Sequence, residues 1–212
     1  MARVIDLTRT IEAKMPVFPG DPEVDFFSHH THEATGYCVS RFAMGTHTGT
    51  HIDVPLHKIA SGMPVDEIPL ERMMGRAVIA DLRDLKKNEE ISIKHLEAWE
   101  NELKDCSILI LKTGWSEHFG RDDFFCGFNG ISQEAAEWLS RKKLSMVGLE
   151  SPSVHPVTHQ RIHQIFLKSN VLVVETLCNL ESVKQTTVQF FALPLKLKGL
   201  DGSPIRAFAV EE

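Results

Sequence analysis

The chain has 212 residues, 42% hydrophobic and 25% charged, which suits one sizeable soluble core and is short for two. Its net charge of −6 comes with no basic stripe, which excludes the usual footprint of a nucleic-acid binder and favours a small-molecule partner. No apolar run approaches the roughly 18 residues that cross a bilayer, so no membrane association is expected.

Residues 1–22, "MARVIDLTRTIEAKMPVFPGDP", lack the basic-then-apolar order of a signal peptide, and the expected location is the cytoplasm. Most of residues 1–70 reads as loop or irregular strand, where function commonly sits. Beyond it, "RAVIADL" (76–82), "CSILILKT" (106–113), "LSMVGLE" (144–150) and "NVLVVETL" (170–177) read as buried strands. Between them Ser92 can cap a helix with Leu96, Trp99 and Leu103 on its apolar face, and Ser132 another built on Ala135, Trp138 and Leu139. The segments 186–199 and 204–212 look like further strands. Cys38, Cys106, Cys126 and Cys178 lie far apart with no CxxC, as expected of reduced thiols. With no repeat or linker, the expectation is a single α/β domain over 1–212, with mixed β-sheets and few helices.

The densest chemistry lies in "MGTHTGTHIDVPLH" (44–57). A helical HxxxH pairing of His47 and His51 is disfavoured by Gly45 and Gly49, by the β-branched residues between, and by Pro55. In an extended chain His47, His51, Asp53 and His57 share one face, but a straight run would span roughly 33 Å, so the strand must bend, with Gly49 and Pro55 where bends help. Two imidazoles and a carboxylate suit Zn²⁺, Mn²⁺ or Fe²⁺ and leave positions for water and substrate. The tract "HHTHE" (29–33) has no such shaping and reads as an ordinary loop. Glu175 ends an apolar run, where a buried carboxylate needs a cationic partner. His155, His159 and His163 fall on one stripe if "HPVTHQRIH" is helical, and any of the three could be a ligand.

"HTGTHIDVPLH" resembles the HxGTHxDxPxH signature of the putative-cyclase family of metal-dependent hydrolases, which includes bacterial kynurenine formamidase and isatin hydrolase. The resemblance implies a swivelling β/β/α-like fold and a homodimer or homotetramer. It implies one or two divalent ions, Zn or Mn, held by His47, His51, Asp53, His163 and Glu175, with His57 as acid/base. In the family a histidine and a glutamate twelve positions on are ligands, and this picks His163; His155 and His159 are then solvated or support the ligand imidazoles. Phe18 stands in "PVFPGD" where kynurenine formamidases usually carry a tryptophan that contacts the aromatic substrate, so an aromatic wall is kept. "GLESPSVH" (148–155) departs from the family pattern at Glu150 and His155, and N-formylkynurenine is expected to be a mediocre substrate. Little in the chain suits an amino-acid head group, although Arg41, Arg72 and Arg161 could serve.

The implied activity is hydrolysis of an amide, an arylformamide or cyclic amide, by metal-activated water. A nucleophilic route lacks support, since there is no GxSxG elbow and no cysteine with an evident histidine partner. The alternatives are a metal-dependent lyase or dehydratase using the same ligands, and a non-catalytic metal-binding homologue.

Overall fold

A computed structural model describes residues 2–212. The first strand, β1 (Arg3–Asp6), is followed by a hairpin of β2 (Asp25–His30) and β3 (Val39–Ala43) around a one-turn helix, α1 (His32–Thr35). Next come β4 (His51–Asp53), β5 (Met74–Asp81), the short helix α2 (Ile93–Leu96) and β6 (Ile108–Lys112). Then α3 (Gln133–Ser140) leads to β7 (Met146–Leu149), and α4 (His159–Lys168) to β8 (Leu172–Glu175). Strands β9 (Thr187–Pro194) and β10 (Gly202–Glu211) complete the order.

Eight strands form one sheet in the order β1-β10-β4-β8-β7-β6-β5-β9, and β10 also pairs with β9, closing seven of them into a barrel-like ring. Strands β5 to β8 run parallel, while β4, β9 and β10 join antiparallel. The parallel strands are near-continuous apolar runs because both faces are covered. Alternate residues, among them Ile79, Ile110, Met146 and Val174, meet Phe190 and Ala207 in one buried cluster. The residues between, such as Val78, Leu109, Val147 and Val173, pack under Leu96, Leu139 and Phe166 of the helices in a second.

The expected strands are present with shifted ends, and the fold is the mixed-sheet α/β domain with few helices. The Ser92 helix is a single turn that relaxes into 3₁₀ turns at Glu97–Trp99 and Glu102–Lys104, although Leu96 and Leu103 are buried as expected. The early third is more regular than its sequence suggests: β2 and β3 pair in a two-stranded sheet of their own, with Phe26, Phe27 and Phe42 exposed. Among the described residues no helix is long and apolar enough to cross a membrane, and all four cysteines are free.

Ile110 is fully buried inside the ring. Ile110→Ala should lower unfolding stability by about 2–5 kcal/mol in a urea titration, as expected for a cavity in a closed core.

Candidate metal centre and active site

The motif's strand is short. Gly49 adopts φ 60°, turning the chain before β4, and after β4 Pro55 begins a one-turn 3₁₀ helix, Pro55–His57. The two bends fold His47 and His57 back beside His51 and Asp53. Pairing of β4 with β8 sets His51 opposite Glu175, and both strands continue as tight turns. Thr176, a β-branched residue, takes φ 58°, a conformation that costs about 1–3 kcal/mol. Two hydrogen bonds hold it: its N–H donates to Ser151 O at 3.0 Å, and its carbonyl accepts from Thr50 Oγ1 at 2.7 Å.

Asp53 and Glu175 are both buried, and three imidazoles meet them. His163 Nε2 lies 3.0 Å from Asp53 Oδ2 and 3.0 Å from Glu175 Oε1. His51 Nε2 is 3.4 Å from each carboxylate, and His47 Nδ1 is 2.7 Å from Asp53 Oδ1. The second nitrogen of each ring is also engaged. His51 Nδ1 donates to Gly49 O at 2.9 Å and His163 Nδ1 to His159 O at 2.8 Å, while His47 Nε2 donates to Asp201 Oδ2 at 2.8 Å. Such bonds fix the tautomer and aim the other nitrogen at a cation. Donor atoms of His51, Asp53 and Glu175, and of His47, Asp53 and His57, lie within 4.8 Å of one another in two groups that share Asp53. A buried, carboxylate-centred donor set of this kind fits one or two divalent ions.

His57 differs from the other three. Its ring lies tilted against that of His47, centroids 4.1 Å apart, but its hydrogen bond is to Asp201 Oδ2, at 3.5 Å, and it makes none to Asp53 or Glu175. Burial lowers His57 to about 4 despite the Asp53 charge, so the ring is neutral at pH 7. Burial would also depress the other three, but the carboxylates outweigh it. The Asp53 charge and bonds to Asp201 and Asp53 push His47 up to about 9, and Asp53 and Glu175 push His51 and His163 up to about 10. Burial would in turn raise Asp53 and Glu175, and the surrounding imidazoles hold both below their usual values.

Above this cluster lies a cavity of about 290 Å³ whose walls include Phe18, Pro152, His159 and Lys58. Phe18 packs 5.7 Å from the His159 ring and edge-on, 5.9 Å, to Phe125. The structure thus brings together all seven residues singled out in sequence. His159 joins the wall, and its carbonyl orients His163. His155 does not share the helical stripe, because α4 starts only at His159: its Nδ1 accepts the N–H groups of Val157 and Thr158, and its Nε2 meets Glu90 at 3.0 Å. Glu150 stands outside the cavity and accepts from Thr113 N, Gly114 N and Ser116 Oγ, anchoring the turn that leads to Phe125. Burial raises its carboxyl against those bonds. Arg41 lies over Phe27 on the hairpin, and neither it, Arg72 nor Arg161 lines the cavity. Sequence reading missed Asp201, whose only local signal is the turn "LDGSP", and Phe125, whose signal is the aromatic density of "DFFCGF".

The sequence matches the family described as "Putative cyclase" over residues 5–156. It is 31% identical over 207 residues to a kynurenine formamidase of Bacillus cereus, covering 96% of this chain and 95% of that protein. The chain belongs to the putative-cyclase family. Its fold superposes on isatin hydrolase A from Labrenzia aggregata with a TM-score of 0.89 at 25% identity, covering 99% of this chain and 93% of that one. It also superposes on a predicted metal-dependent hydrolase from Bacillus stearothermophilus with a TM-score of 0.82 at 27% identity, covering 100% of both chains. The protein is a metal-dependent hydrolase of this family.

The raised imidazoles predict a pH dependence for metal-free protein. His47, His51 and His163 bind protons more tightly folded than at the ordinary 6.5, so their stabilisation is complete below about pH 6.5 and is lost as pH rises through 9 to 10. The melting temperature of chelator-treated protein should fall between about pH 7 and 9.5. Saturating Zn²⁺ or Mn²⁺ should remove most of that fall, since metal binding takes the deprotonated rings.

Proposed function

We propose that the protein hydrolyses an arylformamide or a cyclic amide in the cavity over the histidine–carboxylate cluster. His47, His51, Asp53, His163 and Glu175 hold one or two divalent ions, Zn or Mn. The observation that carries this reading is the split among four clustered imidazoles: three hydrogen-bond or ion-pair with the buried carboxylates, and His57 alone does not. When bound, a divalent cation brings the pKa of water toward about 7 and polarises an amide carbonyl.

The remaining steps fall to the chain. His57, neutral and beside the cluster, takes a proton from the attacking water on Nε2 and returns it to the leaving nitrogen. Asp201 receives Nδ1–H of His57 and so keeps Nε2 as the free base. Phe18 and Pro152 form an apolar wall for a flat substrate and exclude water from one side. Phe18 has no indole N–H to offer a substrate, which supports poor use of N-formylkynurenine. Residues 1–212 act as one hydrolase domain in the cytoplasm.

One observation favours a second role for His57, since its ring nitrogen falls within the His47–Asp53 donor group. Metal analysis separates the two. His51→Ala should lose both metal and activity, while His57→Ala should keep its metal and lose roughly 10²- to 10⁴-fold in turnover. Loss of metal in His57→Ala would make it a ligand. The reading as a whole is tested on arylformamides, isatin-like lactams and cyclic imides with and without Zn²⁺ or Mn²⁺: hydrolysis that requires the ion is the expected result, and full activity of metal-free protein would overturn it.

The same reading includes a homodimer or homotetramer. An isolated two-stranded hairpin is marginal in water, and β2–β3 exposes the cross-strand pair Phe26 and Phe42 on one face, which a second copy would cover. Light scattering should give at least twice the chain mass of 23.9 kDa.

A further inference from the structure

One charged side chain of the cavity wall has no part in the chemistry above. Lys58 follows His57 directly and is half-buried. Its backbone is fixed by a tight reversal: the N–H groups of Lys58 and Ile59 donate to Pro55 O at 3.3 and 3.0 Å, Gly62 N–H to Ile59 O at 2.7 Å, and Leu56 N–H to Met63 O at 3.2 Å. A Cβ at Gly62 would stand 2.4 Å from the Pro55 carbonyl carbon, so the reversal admits no side chain there. The lysine is therefore held beside the acid/base by main-chain geometry.

Among the described residues, Lys58 Nζ has no carboxylate within 4.0 Å and no hydrogen-bond partner. Asp21, the other charged wall residue outside the cluster, is not paired with it either. All four clustered imidazoles meet a carboxylate, and Lys87 and Lys142 pair with Asp123 and Glu100. An ammonium left without a partner in a concave wall, one residue from the acid/base, is placed to meet an anion brought by a ligand. One ammonium balances the single negative charge of a carboxylate, and its donors can meet a carboxylate oxygen.

We propose that Lys58 binds a carboxylate on the substrate, away from the bond that is cut, and that the preferred substrates are amides carrying such a group. This rests on the amide-hydrolase reading. The test compares kcat/KM for formanilide with that for ortho-, meta- and para-formamidobenzoate in metal-loaded wild type, Lys58→Met and Lys58→Arg. Wild type should prefer one carboxylated isomer. That preference should fall roughly 10- to 100-fold in Lys58→Met, mostly through KM, and return in Lys58→Arg; this is the usual worth of a hydrogen bond to a charged group. A preference unchanged by Lys58→Met overturns the proposal.

If wild type cleaves none of these amides, the hydrolase reading fails on its own, and calorimetric titration of the metal-loaded proteins with benzoate decides the rest. Binding at least about 10-fold tighter in wild type than in Lys58→Met supports the lysine as the carboxylate site. Equal binding means that benzoate is held by the metal and overturns it.

Discussion

Asp53 and Glu175 are carboxylates buried within reach of one imidazole, His163, on strands that lie side by side. Two such charges repel each other in a medium far less polar than water, and the arrangement persists only if positive charge stands between them. In the protein alone that charge is protons on His47, His51 and His163. A divalent ion supplies it more compactly and frees the same nitrogens to bind. The strained Thr176, the turn at Gly49 and the carbonyls that receive Nδ1–H all serve this one electrostatic requirement, because each fixes an atom that faces the two carboxylates.

The ring divides its labour. The parallel quartet β5–β8 is apolar on both faces and lends the site one residue, Glu175, at a strand end. The antiparallel strand β4 supplies His51 and Asp53, and the turns on either side of it supply His47, His57 and Lys58. Chemistry is thus concentrated where strands end and the backbone turns, and rigidity where the helices pack. The aromatic loop after β6 belongs to both parts, since Glu150 ties its base to the core while Phe125 rests against Phe18.

The clustering of the opening motif's side chains was legible because its information is local. Four ligand-type residues within eleven positions, shaped by Gly49 and Pro55, can be brought together only by bending at those points. Glu175 was legible for a different reason, that a carboxylate ending an apolar run needs a counter-charge. His163 was not legible from the histidine stripe, since the helix begins at His159 and releases His155 to bind backbone N–H groups. Asp201 carried no usable signal: it reaches the site because β10 pairs with β4, setting Gly202 beside Asp53, and nothing in either segment announces a partner so distant in the chain. The strand order is hidden for the same reason.

The same strand bears on how the chain is made. One edge of β10 is taken by β9, and the other is divided between β4 near residue 202 and β1 near residue 211. During synthesis the ring therefore stays open until β10 has emerged, with β4 and β9 as bare edges and the acidic centre in contact with solvent. An unpaired edge is a template for neighbouring chains. The β4 edge is three residues long and holds a histidine and an aspartate, so it offers other nascent chains little to extend, whereas β9, eight residues long, is the edge that depends most on the arrival of β10.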